Sequence, residues 1–258
     1  MIESVFHADS AQLVALWHDV FGDPPALAED FLRRLPAFGC GFAAVEEGKV
    51  LGAAYWIDGL EIAGEKTGYL YAVAVRPEAR GRGLGAALSR ACFEAGRARG
   101  AVYRCTAPAE PSLFAWYARI LGVSPALYRH SVELAARPGL PVTPIRPEDY
   151  AARRDALLGA RPHLRCHREA MAYEAVNCRT FGGDFYAVGD GIAAASVEDG
   201  VARVREALGE EPEWIASALA VALGCERALL LRCADEGMPF LAADRPFPPG
   251  TGWNRAFD

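Results

Sequence analysis

The 258-residue sequence has no surplus of basic residues: 27 Lys and Arg stand against 33 Asp and Glu, a formal net charge of −6. A nucleic-acid binder needs a basic face to displace counterions from phosphates, so this balance argues against that class. No apolar run approaches the roughly 20 residues of a membrane span. The longest helical candidate, residues 214–225, is about half that length and reads as a buried helix. Met1-Ile2-Glu3-Ser4 offers neither a basic n-region nor an apolar h-region, so a cytoplasmic location is expected. No C-x-x-C pair occurs, and the seven cysteines are odd in number and widely spaced, which fits reduced, mostly buried thiols rather than a disulfide framework. His163, Cys166, His167 and Cys178 are ligand types that zinc accepts, but structural zinc sites usually draw on two such knuckles and the second is missing. No metal is expected.

What is present is ample core material, with 52% hydrophobic and 23% charged residues, in a length that suits one large domain or two small ones. Asp9-Ser10 caps a helix whose apolar positions Leu13, Leu16, Trp17, Val20 and Phe21 recur at helical spacing until Gly22 and Pro24-Pro25 stop it. A short helix follows over 26–35, then a hairpin of 42–45 and 50–57. Residues 69–75 are apolar on both faces and mark a central strand. A helix over 83–99, a strand over 101–106, a helix over 112–121 and a strand near 126–134 complete an α/β layer structure with a mixed sheet.

Residues 137–144 carry three prolines and a glycine and read as a linker between domains at 1–136 and 145–258. The second half echoes the first: Ile145 answers Ile2, and Phe185-x-Ala187-Val188-x-x-Gly191 answers Phe42-x-Ala44-Val45-x-x-Gly48, both at an offset of 143. Arg232-Cys233 answers Arg104-Cys105 at 128. A tandem duplication is the reading. The acidity lies in the second copy, with 13 basic and 18 acidic residues from Pro138 onward against 14 and 15 before it.

The chemistry sits in Val73-Ala-Val-Arg-Pro-Glu-Ala-Arg80-Gly81-Arg82-Gly83-Leu84-Gly85-Ala86. Glycines at three alternate positions between a strand and a helix let the backbone approach a ligand and turn its N–H groups inward. The helix start adds unpaired donors and partial positive charge, and Arg80 and Arg82 add formal charge, which together make a cradle suited to pyrophosphate. Gly81-x-Gly83-x-x-Ala86 formally fits a dinucleotide fingerprint, but five residues separate it from its strand and the next strand carries no acid for a ribose. The G-x-x-x-x-G-K-[ST] loop of nucleotide triphosphate binders is absent.

Arg80-x-x-Gly83-x-Gly85, after a strand ending in Val-x-Val-x-Pro, resembles the signature of the GNAT superfamily of N-acetyltransferases, and Trp116-Tyr117 with Gly122-Val123 resembles that family's helix end. The phrases at 69–75 and 108–114 also resemble a two-lobed bacterial branch. The resemblance covers residues 2–134 and implies a GNAT-like fold: a mixed, mostly antiparallel central sheet flanked by helices, in tandem with a degenerate second copy. It implies acetyl-CoA as co-substrate and transfer to a primary amine by direct attack in a ternary complex. Val73 and Val75, with Ala74 between them, would run beside the pantetheine arm. The N–H groups of Gly81, Arg82, Gly83, Leu84, Gly85 and Ala86 would hold the pyrophosphate, aided by Arg80. Tyr117 takes the place of the acid that protonates the departing thiolate.

The family often has Asn where Glu110 stands, which leaves Glu110 either facing the amine or solvated. Trp56, Tyr69 and Tyr71 are candidates for the acceptor pocket, with core packing as the alternative, and Tyr69 and Tyr71 are expected on the same strand face as Val73. In some multi-lobed relatives the terminal carboxylate enters the cleft, so Asp258 is a candidate there, surface docking being the alternative. At the second copy's cradle position stands Leu208-Gly-Glu-Glu-Pro-Glu213, where three glutamates repel a pyrophosphate and Pro212 removes a donor. One CoA site per chain is therefore expected, with no membrane or nucleic-acid partner and a homodimer left open. The rival class is a non-catalytic acyl-CoA-binding sensor or interaction protein.

Overall fold

The computed structural model describes residues 1–234 and 236–253. The first elements are β1 (Ile2–Ser4), α1 (Ser10–Phe21), α2 (Pro25–Phe38), β2 (Gly39–Glu46), β3 (Lys49–Ile62) and β4 (Glu65–Val75). After a 3-10 turn come α3 (Leu84–Ala98), β5 (Tyr103–Thr106), α4 (Pro111–Leu121) and β6 (Ser124–Ala135). Next are β7 (Val142–Pro144), α5 (Pro147–Leu158), β8 (Leu164–Cys166), α6 (Arg168–Thr180), β9 (Asp184–Val188), β10 (Gly191–Glu198) and β11 (Val201–Leu208). The described chain ends with α7 (Pro212–Ala222), β12 (Arg227–Ala234) and β13 (Met238–Ala243). Among the described residues no helix is long and apolar enough to cross a membrane.

The chain forms two compact units, Met1–Ala126 with Phe240–Phe247, and Leu127–Pro239 with the residues from Pro248. The division therefore falls ahead of residues 137–144, which were read as a linker and contain the short strand β7. The sequence pattern also gave no sign that residues 240–247 return to the first unit. There β13 pairs antiparallel with β5 through Ala242–Thr106 and Ala243–Cys105. Arg104 fastens the return: its Nε donates to Asp244 Oδ2 at 2.7 Å and its backbone N–H to Oδ1 at 3.0 Å.

In the first unit the strand order is β1-β2-β3-β4-β5-β13, with β4 and β5 its parallel pair. The helix boundaries follow local chemistry. Asp9 accepts from the N–H groups of Ala11 and Gln12, and Gly22 ends α1 at φ 78°. One sheet face carries Trp17 and Phe31 from α1 and α2 against Tyr55 and Tyr71. The other carries Leu88, Cys92 and Phe93 of α3 and Tyr117 of α4 against Ala54, Trp56 and Leu70.

The second unit repeats this plan in the order β6-β12-β11-β10-β9-β7, with β11 and β12 its parallel pair. Buried α7 residues Ile215, Ala216 and Leu219 pack on one sheet face, and Tyr150 of α5 and Met171, Ala175 and Cys178 of α6 on the other. The echoed phrases at 42–48 and 185–191 both begin on the first strand of the unit's central hairpin, β2 and β9. The Arg-Cys match is displaced. The last parallel pairs are Leu70–Thr106 and Val204–Leu230, so the ladder sets Arg104-Cys105 against Ala228-Leu229, four residues before Arg232-Cys233.

Candidate active site

The first unit's sheet opens at one point. β4 and β5 are paired from Thr67–Tyr103 to Leu70–Thr106, and beyond Leu70 only the β3 edge of β4 is paired. The register on β3 slips there, because Tyr55 faces Tyr71 and Ala53 faces Ala74, leaving Ala72 and Val73 opposite one residue. Ala72 takes φ 48°, a left-handed conformation that costs a non-glycine residue roughly 1–2 kcal/mol.

This bulge corrects the expected strand parity. Side chains alternate faces along a strand, so Val73 was expected to share a face with Tyr69 and Tyr71. The extra residue reverses the alternation: Tyr71 faces Trp17 and Phe31, whereas Val73 and Val75 join the opposite face with Leu70, Leu84 and Trp116. Val73 is half-buried beside the opening, and Ala74 is buried against β3.

The glycine segment closes the same end of the sheet. Gly81 and Gly83 both take φ 77°, and a Cβ built on either meets nothing within 4 Å. These glycines are thus required by backbone conformation, and the space beside them is open. The first main-chain bond of α3 runs from the Ala87 N–H to the Gly83 carbonyl, so the N–H groups of Leu84, Gly85 and Ala86 belong to the helix start that no helical carbonyl reaches. Gly83 offers no side-chain cap, and Trp116 of α4 lies 3.7 Å from the Cβ position of Gly85. Arg80 donates from Nε to the Val75 carbonyl at 3.2 Å, tying the loop to the strand end. Arg82 makes a two-armed ion pair with Glu46, at 3.1 and 2.9 Å, and both side chains are about half exposed. Such a surface pair is screened by solvent and contributes little to stability.

Tyr117 lies on α4, which Pro111 starts and Gly122 ends at φ 70°. Its ring meets that of Trp116 edge-on at 4.7 Å, and it is 7% exposed. Burial pushes its hydroxyl up to about 12, against a smaller opposing pull from the neighbouring Thr106 hydroxyl. Thr106 is the last β5 residue paired to β4, and its own hydroxyl donates to the Leu70 carbonyl at 3.1 Å. The opening, the glycine segment and Tyr117 therefore lie within one unit, built from β4, β5, α3 and α4.

The remaining candidates separate from this group. Trp56 is fully buried on the α3 face, where its ring fills space that a Cβ on Gly68 or Gly96 would enter at 2.0 and 2.1 Å. Its indole N–H donates to Asp58 at 2.8 Å. It is a core residue, corrected from the acceptor pocket. Tyr69 and Tyr71 are 2% and 9% exposed on the α1 and α2 face. Glu110 is exposed at the start of α4, accepting from the Ser112 hydroxyl at 3.3 Å. Asp258 lies outside the described residues.

Cys105 is buried, burial raises its thiol well above the ordinary value, and its sulfur donates to the Gly68 carbonyl at 3.4 Å, which leaves no thiolate for an acyl-enzyme. His163 is held by Asp155 at 3.0 Å and the Arg161 carbonyl at 2.7 Å, and His167 caps α6. Among the described residues no group of three His, Cys, Asp or Glu is placed to hold a metal. Sequence reasoning gave no role to Ala72, Thr106 or Glu46. Thr106 ends a recognised strand, but a bulge at Ala72 has no local signal.

Comparison with known proteins matches this arrangement. A family model described as the acetyltransferase (GNAT) family covers residues 2–123, from β1 through the turn that ends α4. None of the curated proteins compared matches the chain. A conserved protein of Enterococcus faecalis V583, described as a probable N-acyltransferase, superposes with a TM-score of 0.68 over 94% of this chain and 72% of its own, at 12% identity. A GCN5-related N-acetyltransferase from Kribbella flavida gives 0.66 over 94% and 70%, at 17% identity. One from Anabaena variabilis gives 0.66 over 94% and 72%, at 14% identity. At these identities the structural likeness speaks for the fold. The family match identifies residues 2–123 as a GNAT acetyltransferase domain, with the glycine segment and Tyr117 gathered at one opening of its sheet.

Proposed function

We propose that the protein transfers an acetyl group from acetyl-CoA to a primary amine by direct attack in a ternary complex formed in the first unit. The observation that carries this reading is the placement of a buried, protonated Tyr117 hydroxyl at the point where β4 and β5 part, with the open N–H groups of α3 on the same side. Acetyl-CoA would supply the activated thioester. The fit rests on the two positive-φ glycines, beside which nothing lies within 4 Å, and on the strand edge at Val73 and Val75 left unpaired by β5.

The chain's own groups have defined tasks. The N–H groups from Gly81 to Ala86, with Arg80 and Arg82 beside them, would hold the pyrophosphate through aligned dipoles and charge. As the nitrogen–carbon bond forms and the carbon–sulfur bond breaks, the amine gives up a proton and the sulfur gains one. A hydroxyl with a pKa near 12 stays protonated across the working range, so Tyr117 is always available to donate to that sulfur. Buried Cys105 is consistent with direct attack.

The second unit lacks the matching cradle. Residues 209–211 replace the 76–83 segment, and Glu210, Glu211 and Glu213 with Pro212 occupy the helix start. One acetyl-CoA site per chain follows, and an acidic chain favours cationic amines. Release of free CoA thiol from acetyl-CoA across a panel of polyamines, aminoglycosides and peptide N-termini tests the reading. Stabilisation by acetyl-CoA without thiol release on any amine would replace it with the sensor reading.

A further inference from the structure

The second unit contains an opening of its own. β11 and β12 pair in parallel from Val201–Arg227 to Val204–Leu230 and then separate. Beyond that point the far edge of β11 is taken by β10, from Ala194–Glu206 to Ile192–Leu208, and the far edge of β12 by β6, from Leu231–Ser131 to Ala234–Tyr128. The two inner edges face each other across a cavity of about 600 Å³. That volume lies within the 300–1,000 Å³ usual for small-ligand sites.

The lining has three chemical zones. Leu157, Leu158, Leu208, Leu230 and Leu231 supply its apolar lining. Residues 207–208 and 231–233 contribute strand edges, and alternate N–H and C=O groups of a strand point to each side. At the α5 end is Arg161, whose Nε donates to the Gly250 carbonyl at 2.9 Å and which has no carboxylate partner among the described residues. Arg232, by contrast, is paired with Glu213 at 3.1 Å. Glu210 lines the α7 end beside Glu211 and Glu213, where a phosphate would meet like charge.

We propose that this cavity is a second ligand site, which takes a short apolar peptide ending in a free carboxylate. The peptide backbone would bond to the separated edges of β11 and β12, its side chains would pack against these leucines, and its carboxylate would meet Arg161. The site is built from residues other than those of the proposed acetyl-CoA cleft and does not depend on acetyl transfer.

Calorimetric titration of the full chain with N-acetyl-leucyl-leucine and with its C-terminal amide tests the proposal. The carboxylate form is expected to bind about tenfold or more tightly than the amide. Arg161→Gln removes that preference. Leu157→Trp, at a position already 44% exposed, obstructs the cavity and weakens both ligands while leaving the unfolding midpoint and acetyl-CoA binding unchanged. Absence of binding by either peptide, binding of decanoate but not of peptide, or a peptide preference that survives Arg161→Gln would overturn it. So would a second acetyl-CoA per chain that Leu157→Trp abolishes.

Discussion

The Tyr117 hydroxyl is a neighbour of that of Thr106, so the candidate acid on α4 stands next to the last β5 residue that still pairs with β4. The proposed chemistry at the sulfur would thereby take place where the sheet opens. Tyr117→Phe is expected to lower kcat by about 10²- to 10⁴-fold with little change in the KM for acetyl-CoA. With the hydroxyl pushed up to about 12, the wild-type rate should rise with pH as the amine deprotonates, with no falling limb from Tyr117 below about pH 11. A pH–rate profile of wild type and variant checks both.

Gly83 is required by its φ of 77° and not by steric contact, since a Cβ there would touch no neighbour. Gly83→Glu places a carboxylate at the cradle. At acetyl-CoA about 100 times Kd, wild type should gain roughly 2.7 kcal/mol of stability and the variant none, read as the shift in unfolding midpoint. A shift in neither protein would remove the transferase and sensor readings together.

Ala72 holds the bulge that turns Val73 toward the opening. A β-branched side chain tolerates φ 48° poorly, so Ala72→Val should cost about 1–2 kcal/mol and raise the KM for acetyl-CoA, whereas Ala72→Gly should do neither. Denaturant unfolding and steady-state kinetics of the two variants separate strain from loss of side-chain contacts.

In the second unit, Arg154 and Glu206 form a fully buried ion pair, with Nε 3.0 and 2.9 Å from the two carboxylate oxygens. Tyr150 donates to the same carboxylate at 2.7 Å, and Arg154 also donates to the Leu164 carbonyl. Arg154→Met leaves that carboxylate buried without its cation and should destabilise by about 3–5 kcal/mol. Adding Glu206→Leu should recover part of the loss, as measured by urea unfolding.

Alkaline pH should destabilise the protein in two stages. Burial raises the thiols of Cys92 and Cys105 well above their ordinary value of 9.0, raises Tyr55, and pushes Tyr117 and Tyr186 up to about 12. The unfolded chain then loses protons that the folded chain retains. Stability from these groups is complete below about pH 8.5, falls first as unfolded thiols ionise, and falls again above about pH 10 as unfolded tyrosines do. Urea midpoints across this range, followed with tyrosinate absorbance, check the order.

Much of the candidate site was legible from sequence because its signals are local. A cap such as Asp9, a stop such as Gly122, and glycines at alternate positions between strand and helix act through backbone conformation within a few residues. The glycine segment from Arg80 to Ala86 and the helix carrying Tyr117 therefore followed from the sequence, whereas the proposed role of Tyr117 rests on family resemblance.

Tertiary structure decided what depends on a partner strand. The face of Val73 could not be read from period-two alternation, because the slip at Ala72 is a property of β4 against β3 and reverses the parity beyond it. Trp56 has the composition of a pocket aromatic, and only the close approach of Gly68 and Gly96 makes it core. The return of residues 240–247 to β5 rests on Arg104 meeting Asp244, 140 residues apart, a distance over which no local pattern speaks. The sequence determined which segments are helix, strand and glycine turn through short-range conformational preference; the tertiary structure alone decided register, face and strand partner, because those arise from contacts between distant parts of the chain.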